Sequence, residues 1–238
     1  MNYQLNYPEL KAVAAIIITM SCYYIYYFLI TSQRINLYFT KKYSGTSFYL
    51  HRILFNKLAG FIFFACIPGA LCFSLWHTDF SSFGITLKKI VENWYWLVGL
   101  PALIYLVNYF SAKNPDVYAH YPQMRIKVWS AGTFLLSSLG WFIYLVGYEF
   151  LFRGILLLSC AEAFGLWPAV TINIAIYSAI HLTNGLKETI GAIPFGLIAC
   201  LLMLYSGTLL IPIAMHISLS MSTEFYTIRN NPDMKFIK

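Results

Sequence analysis

The chain has 238 residues, of which 59% are hydrophobic and 11% charged, and its mean hydropathy is +0.64. A soluble domain carries about 25% charge, so composition excludes that class. Repeated apolar runs about twenty residues long instead predict an all-α, polytopic membrane helix bundle. The net charge of +7 does not call for nucleic acid, because Lys and Arg crowd the cytoplasmic loops of membrane proteins.

Met1 to Lys11 lacks the basic n-region of a cleaved signal peptide, so the apolar stretch 12–31 reads as a retained anchor. Residues 32–57 read as a mixed connection carrying Arg34, Lys41, Lys42, Arg52 and Lys57 and no acid. A second span is expected at 58–76, where Pro68 and Gly69 mark a kink. A mixed loop, 77–92, leads to span three at 93–111, with Trp94 and Trp96 as interfacial anchors, and then to a second basic loop, 112–127. The apolar stretch 128–162 would make a helix about 50 Å long, against a hydrocarbon core of about 30 Å. It has to tilt, kink near Gly140 or Gly147, protrude, or split in two. Gly165 and Pro168 read as a helix stop and start, followed by spans at 167–182, 189–205 and 209–226 and a polar tail, 227–238.

This makes seven spans, or eight if 128–162 is divided. With seven and an outer N-terminus, twelve of the sixteen Lys and Arg fall on the inner side. That asymmetry predicts an inside C-terminus, in a bacterial inner membrane. The whole chain reads as one transmembrane domain: N-terminal spans over 1–127, a motif-bearing core over 128–226, and the tail. The five cysteines, Cys22, Cys66, Cys72, Cys160 and Cys200, all fall in apolar segments without a CxxC spacing, and read as buried structural thiols.

Four polar groups interrupt the apolar core. Glu149 and Arg153 stand four residues apart, on one helix face. A charge in hydrocarbon costs about 2.5–3.5 kcal/mol on insertion scales and marks a functional site by default. The plain structural reading is an ion pair that locks helix packing. His181 ends a polar stripe with Asn173 and Tyr177, and His216 belongs to a stripe with Pro212, Ser220 and Glu224. Glu149 and His181 each lie sixteen residues from Gly165, so an antiparallel pair puts them at equal depth, whereas His216 lies only nine from its turn. A carboxylate and two imidazoles in a dry cavity suit general acid–base hydrolysis, or alternatively zinc held by two His and one carboxylate. There is no HExxH pattern to favour the metal.

At these positions the chain resembles the CPBP family, the CAAX protease and bacteriocin-processing membrane proteins that include the type II CAAX prenyl endopeptidases. The family motif EExxxR(G) corresponds to Tyr148 through Gly154, FxxxH to Tyr177 through His181, and HxxxN to His216 through Ser220. The resemblance implies that Glu149, Arg153, His181 and His216 are site residues. It also exposes two departures: Tyr148 replaces the glutamate that in the family activates water with the second-motif His, and Ser220 replaces an oxyanion-binding Asn.

The reading is therefore an intramembrane glutamic-type endopeptidase homologue cleaving a membrane-proximal peptide bond. His181 would be its base, Glu149 would orient that base, and His216 would serve the oxyanion. The alternative is a pseudoprotease acting as a membrane binding, chaperone or immunity-type subunit. A transporter is disfavoured by the lack of an internal repeat. No cofactor or metal is expected, and the partners are a peptide or protein in the membrane and the bilayer itself, with no nucleic acid.

Overall fold

In the computed structural model, residues 6–114, 117–118 and 120–237 are described. Residues 1–5, within the stretch Met1–Lys11 read as lacking a basic n-region, three positions of the second basic loop and Lys238 lie outside that set. Asn6 opens α1 (Tyr7–Thr31) with a capping box: its side chain accepts from Glu9 N at 3.0 Å, and its own N–H donates to Glu9 Oε2 at 2.9 Å. Two helices follow, α2 (Gln33–Lys42) and α3 (Gly45–Trp76). The expected connection over 32–57 is therefore mostly helix. Its charges disguised a continuous run, in which Lys57 is buried within the bundle. The kink expected at Pro68 appears just upstream as a π-helical turn, Ile62–Cys66, before the helix resumes.

The loop expected at 77–92 also folds, into a 3-10 turn, Phe80–Phe83, capped by Asp79, and a short α4 (Leu87–Glu92) bent by 92° from α5 (Trp94–Ser111). Trp94 is exposed as an anchor should be, whereas Trp96 is only partly so. A strand β1 (Val128–Ser130) precedes α6 (Ala131–Phe164), α7 (Leu166–Ile180), α8 (Leu186–Ser206) and α9 (Leu210–Asn230). The expected polar tail is helical to Asn230 and ends in β2 (Lys235–Ile237), which pairs in parallel with β1 in the register Trp129 to Phe236.

The seven expected spans all correspond to helices, but among the described residues five helices are long and apolar enough to cross a membrane, or six if the bent pair counts as one span. The remaining helix, α9, has the length; its buried polar stripe, including His216, Ser220 and Glu224, lowers its hydropathy. The chain is an integral membrane helix bundle. Cys66 is exposed on the outer face of α3, so it is not the buried thiol expected, while the other four cysteines are buried.

The helices run back and forth. One end of the bundle gathers the C-terminal ends of α1, α7 and α9: Tyr23 Oη donates to the Ile180 carbonyl, Arg52 Nη2 to that of Ile30, and Tyr118 Oη to that of Asn230. At the other end Leu209 N donates to the Gly84 carbonyl, Asn93 to that of Ser206, and Lys11 pairs with Glu162.

The long stretch 131–164 does not kink at Gly140 or Gly147. Both glycines admit α3: a Cβ on Gly140 would lie 3.2 Å from Leu54 Cδ2 and 3.4 Å from Lys57 Cγ, and one on Gly147 would lie 3.2 Å from Phe61 Cα. Instead the helix widens into a π-helical stretch, Phe150–Leu157, every residue of which is buried. Asn173 Nδ2 from α7 donates to the Phe152 carbonyl inside this stretch, at 2.7 Å.

Candidate active site

Glu149 closes the regular part of α6 and is fully buried. One turn on, Arg153 Nη1 lies 3.2 Å from Glu149 Oε2, as the four-residue spacing predicts. The guanidinium also lies over the Tyr177 ring, at 4.3 Å from its centroid. The other carboxylate oxygen, Oε1, lies 2.5 Å from His216 Nδ1. A buried triad, Arg153–Glu149–His216, therefore links α6 to α9.

The expected orientation of His181 by Glu149 is overturned: the carboxylate is bonded to His216. His181 Nδ1 is instead 2.7 Å from the carbonyl of Tyr177, one turn back on its own helix. The equal-depth count missed this because the turn before α9 is displaced inward. Leu209 N is bonded to Gly84, and a Cβ on Gly154 would lie 3.5 Å from the carbonyl oxygen of the adjacent Phe83. The turn thus sits near the level of Gly154, and His216 reaches Glu149 within two helical turns.

Both rings are held through Nδ1 by an acceptor. A carbonyl or carboxylate oxygen accepts only, so the hydrogen of each bond resides on Nδ1, and Nε2 of each ring is left for another partner. His181, His216, Tyr148 and Ser220 line one cavity of about 590 Å³. Glu149 and Arg153 stand behind the wall.

Tyr148 stands where the resemblance implies a glutamate. Its ring stacks on Phe152 at 4.7 Å and meets His216 edge-on at 5.6 Å and His181 at 6.4 Å. Its hydroxyl is buried without a hydrogen-bond partner. Among the described residues no three His, Cys, Asp or Glu side chains gather at one point, so the two-imidazole, one-carboxylate zinc set is not assembled.

Several lining residues escaped the sequence reading. Lys57, Trp141 and Tyr144 form one wall, and Glu188, Gln123 and Arg125 lie on another. Lys57 had a signal, a lone charge in the run 53–66, which is apolar but for Asn56, though the charges before it make 32–57 read as a connection. Glu224, in the second stripe, lies outside the cavity and accepts from Ser137 Oγ and Trp141 Nε1.

The fold is that of an integral membrane helix bundle with a polar cavity between its helices. Residues 122–222, a little under half of the chain, match the family described as type II CAAX prenyl endopeptidase, Rce1-like. The resemblance to the CAAX protease family carried by Tyr148–Gly154, Tyr177–His181 and His216–Ser220 thus extends over the motif-bearing core. Nothing matches the chain among curated proteins or among solved structures.

Proposed function

We propose that the chain is a divergent intramembrane endopeptidase in which histidine takes over the work of the missing glutamate. One observation carries this reading: two imidazoles, each anchored through Nδ1, line a single cavity with Nε2 unspent. His216 is the better base, because a carboxylate at its Nδ1 stabilises the imidazolium formed when Nε2 takes a proton. Nε2 of His216 removes a proton from water, and the water oxygen bonds to the carbonyl carbon of the scissile peptide. The carbonyl electron pair moves onto oxygen, where the Ser220 hydroxyl donates to it. Collapse breaks the C–N bond, and the leaving nitrogen takes the proton back from His216. His181 accepts the second hydrogen of the water and so aims it.

The substrate class is a peptide presented at the membrane. The basic residues collected where α1, α7 and α9 end support placing that end, and the C-terminus, in the cytoplasm. The test is cleavage of quenched fluorescent peptides by purified protein in lipid nanodiscs. His216→Ala should lower kcat by about 10²–10⁴-fold, the usual share of general base catalysis. Unaltered cleavage in both His216→Ala and His181→Ala would remove the idea.

A second reading is favoured by Tyr148 alone, whose ring occupies the place of the water-activating glutamate. In this pseudoprotease reading the cavity binds a membrane partner without cutting it. Partner association that survives the combined His181→Ala and His216→Ala change, with no cleavage by the unaltered chain, would establish it.

A further inference from the structure

We infer that α2 is an interfacial helix whose outer face binds the headgroups of anionic phospholipids at the rim of the cavity. The starting point is a set of cations with no counter-charge. α2 carries Arg34, Lys41 and Lys42, all exposed, and no Asp or Glu stands between Glu9 and Asp79. Among the described residues none of the three is in an ion pair.

Only Phe39 of α2 is buried, its ring centroid 5.3 Å from that of Phe55 on α3. Arg34, Leu37, Tyr38 and Lys41 follow one another at steps of three and four residues and sequence distance seven overall, so they share another side of the helix. Leu37 and Tyr38 are 47% and 54% exposed on it. Lys42 joins this side through Tyr38: its Nζ donates to Tyr38 Oη at 2.9 Å and lies over the rings of Tyr38 and Tyr43, at 5.3 Å and 5.5 Å from their centroids.

The cations border an apolar surface. α1 passes into α2 through Ser32 alone, and Ile25 and Phe28 near its end are 55% and 68% exposed. Acyl chains against α1 thus come within about two helical turns of Arg34. A ligand with a phosphate above and hydrocarbon below meets both features, whereas a freely soluble anion meets only the first. Basic residues beside exposed Leu and Tyr on one short polar helix are the make-up of helices that lie in the headgroup layer. Lys and Arg at that level are drawn to anionic lipid.

α2 also joins the two helices on one side of the cavity. Ile30 and Thr31 of α1 and Ile53 and Asn56 of α3 line it, and Arg52 fastens the hairpin by donating to the Ile30 carbonyl and to Asn56. Headgroups seated on α2 therefore hold the cavity mouth level with the leaflet. This role does not depend on whether a bond is cut.

The test places the full chain in phosphatidylcholine nanodiscs doped with a photoreactive phospholipid, its diazirine high on one acyl chain. The probe is either a phosphatidylglycerol or a phosphatidylcholine. After illumination, adducts on residues 33–43 are counted by mass spectrometry against those at Leu103 and Leu106, exposed on α5. The phosphatidylglycerol probe should label α2 about fivefold more than the phosphatidylcholine probe, with no such excess on α5. The joint change Arg34→Gln, Lys41→Gln, Lys42→Gln should remove the excess, and Arg34→Lys with Lys41→Arg and Lys42→Arg should keep it. Equal labelling of α2 by the two probes overturns the inference, as does an excess of the same size on α5 or one that survives the joint Gln change. An excess abolished by inorganic phosphate or by an acidic soluble peptide, at unchanged ionic strength, would give the face to a soluble partner and also overturns it.

Discussion

At the scale of single residues the decisive group is Glu149. It holds Arg153, which is fully buried, and His216, which lines the cavity, together. Removing one partner of a buried pair leaves a charge uncompensated and costs about 3–5 kcal/mol, more than the intact pair contributes. Glu149→Ala should therefore lower unfolding stability in detergent by that amount, measured by denaturant titration. Pairing it with Arg153→Met should recover a large part of the loss. If the single change is silent, the triad is not the lock described here. Glu149, Arg153, His181 and His216 were legible in the sequence because a polar group in hydrocarbon is rare. The Glu149–Arg153 pair was legible as well, from its spacing, but the partners of the two histidines were not, since depth counting treats every turn as lying at the membrane surface. The segment around Gly84 draws the turn at Leu209 inward and spoils that assumption.

At the scale of elements, the π-helical stretch Phe150–Leu157 sets the site. It begins directly after Glu149 and depends on a side chain from α7, for Asn173 satisfies the Phe152 carbonyl and accepts in turn from the Cys200 thiol at 3.2 Å. Losing that buried hydrogen bond costs about 0.5–1.5 kcal/mol. Asn173→Ala is expected to show that loss in thermal unfolding. It should also depress kcat more than KM if the widened helix positions Glu149; an equal fall in stability with unchanged kcat would limit Asn173 to a structural part. The sequence displayed Asn173 as part of a stripe but could not show that its partner is backbone. A helix of unusual width has no composition signature, and the glycines that drew attention, Gly140 and Gly147, serve close packing against α3.

At the scale of the molecule, the helices read from apolar runs were found close to where expected. The errors cluster where charge and helix coincide. Residues 45–57 carry His51, Arg52 and Lys57, which disguised the first half of α3 as a connection. The opposite effect appears in α9, whose stripe of buried polar groups makes it too polar to qualify as a span. Insertion free energies sum along a segment, and charged residues dominate the sum. Placed alone in a translocon reporter with glycosylation sites on both sides, α9 should fail to insert, whereas in the full chain, where Ser137 and Trp141 donate to Glu224, it should insert. Autonomous insertion would mean that its stripe is tolerated by lipid and not by the bundle.

The exposed residues lining the cavity, Thr31, His120, Thr183 and Asn184, all stand at the end of the bundle where α1 and α7 finish. The opposite end is stitched shut by Gly84 and Leu209. The chamber is thus a blind alley with its door among the basic residues. Whatever comes in leads with its tip and must back out by the same door, so one guest has to depart before the next is admitted.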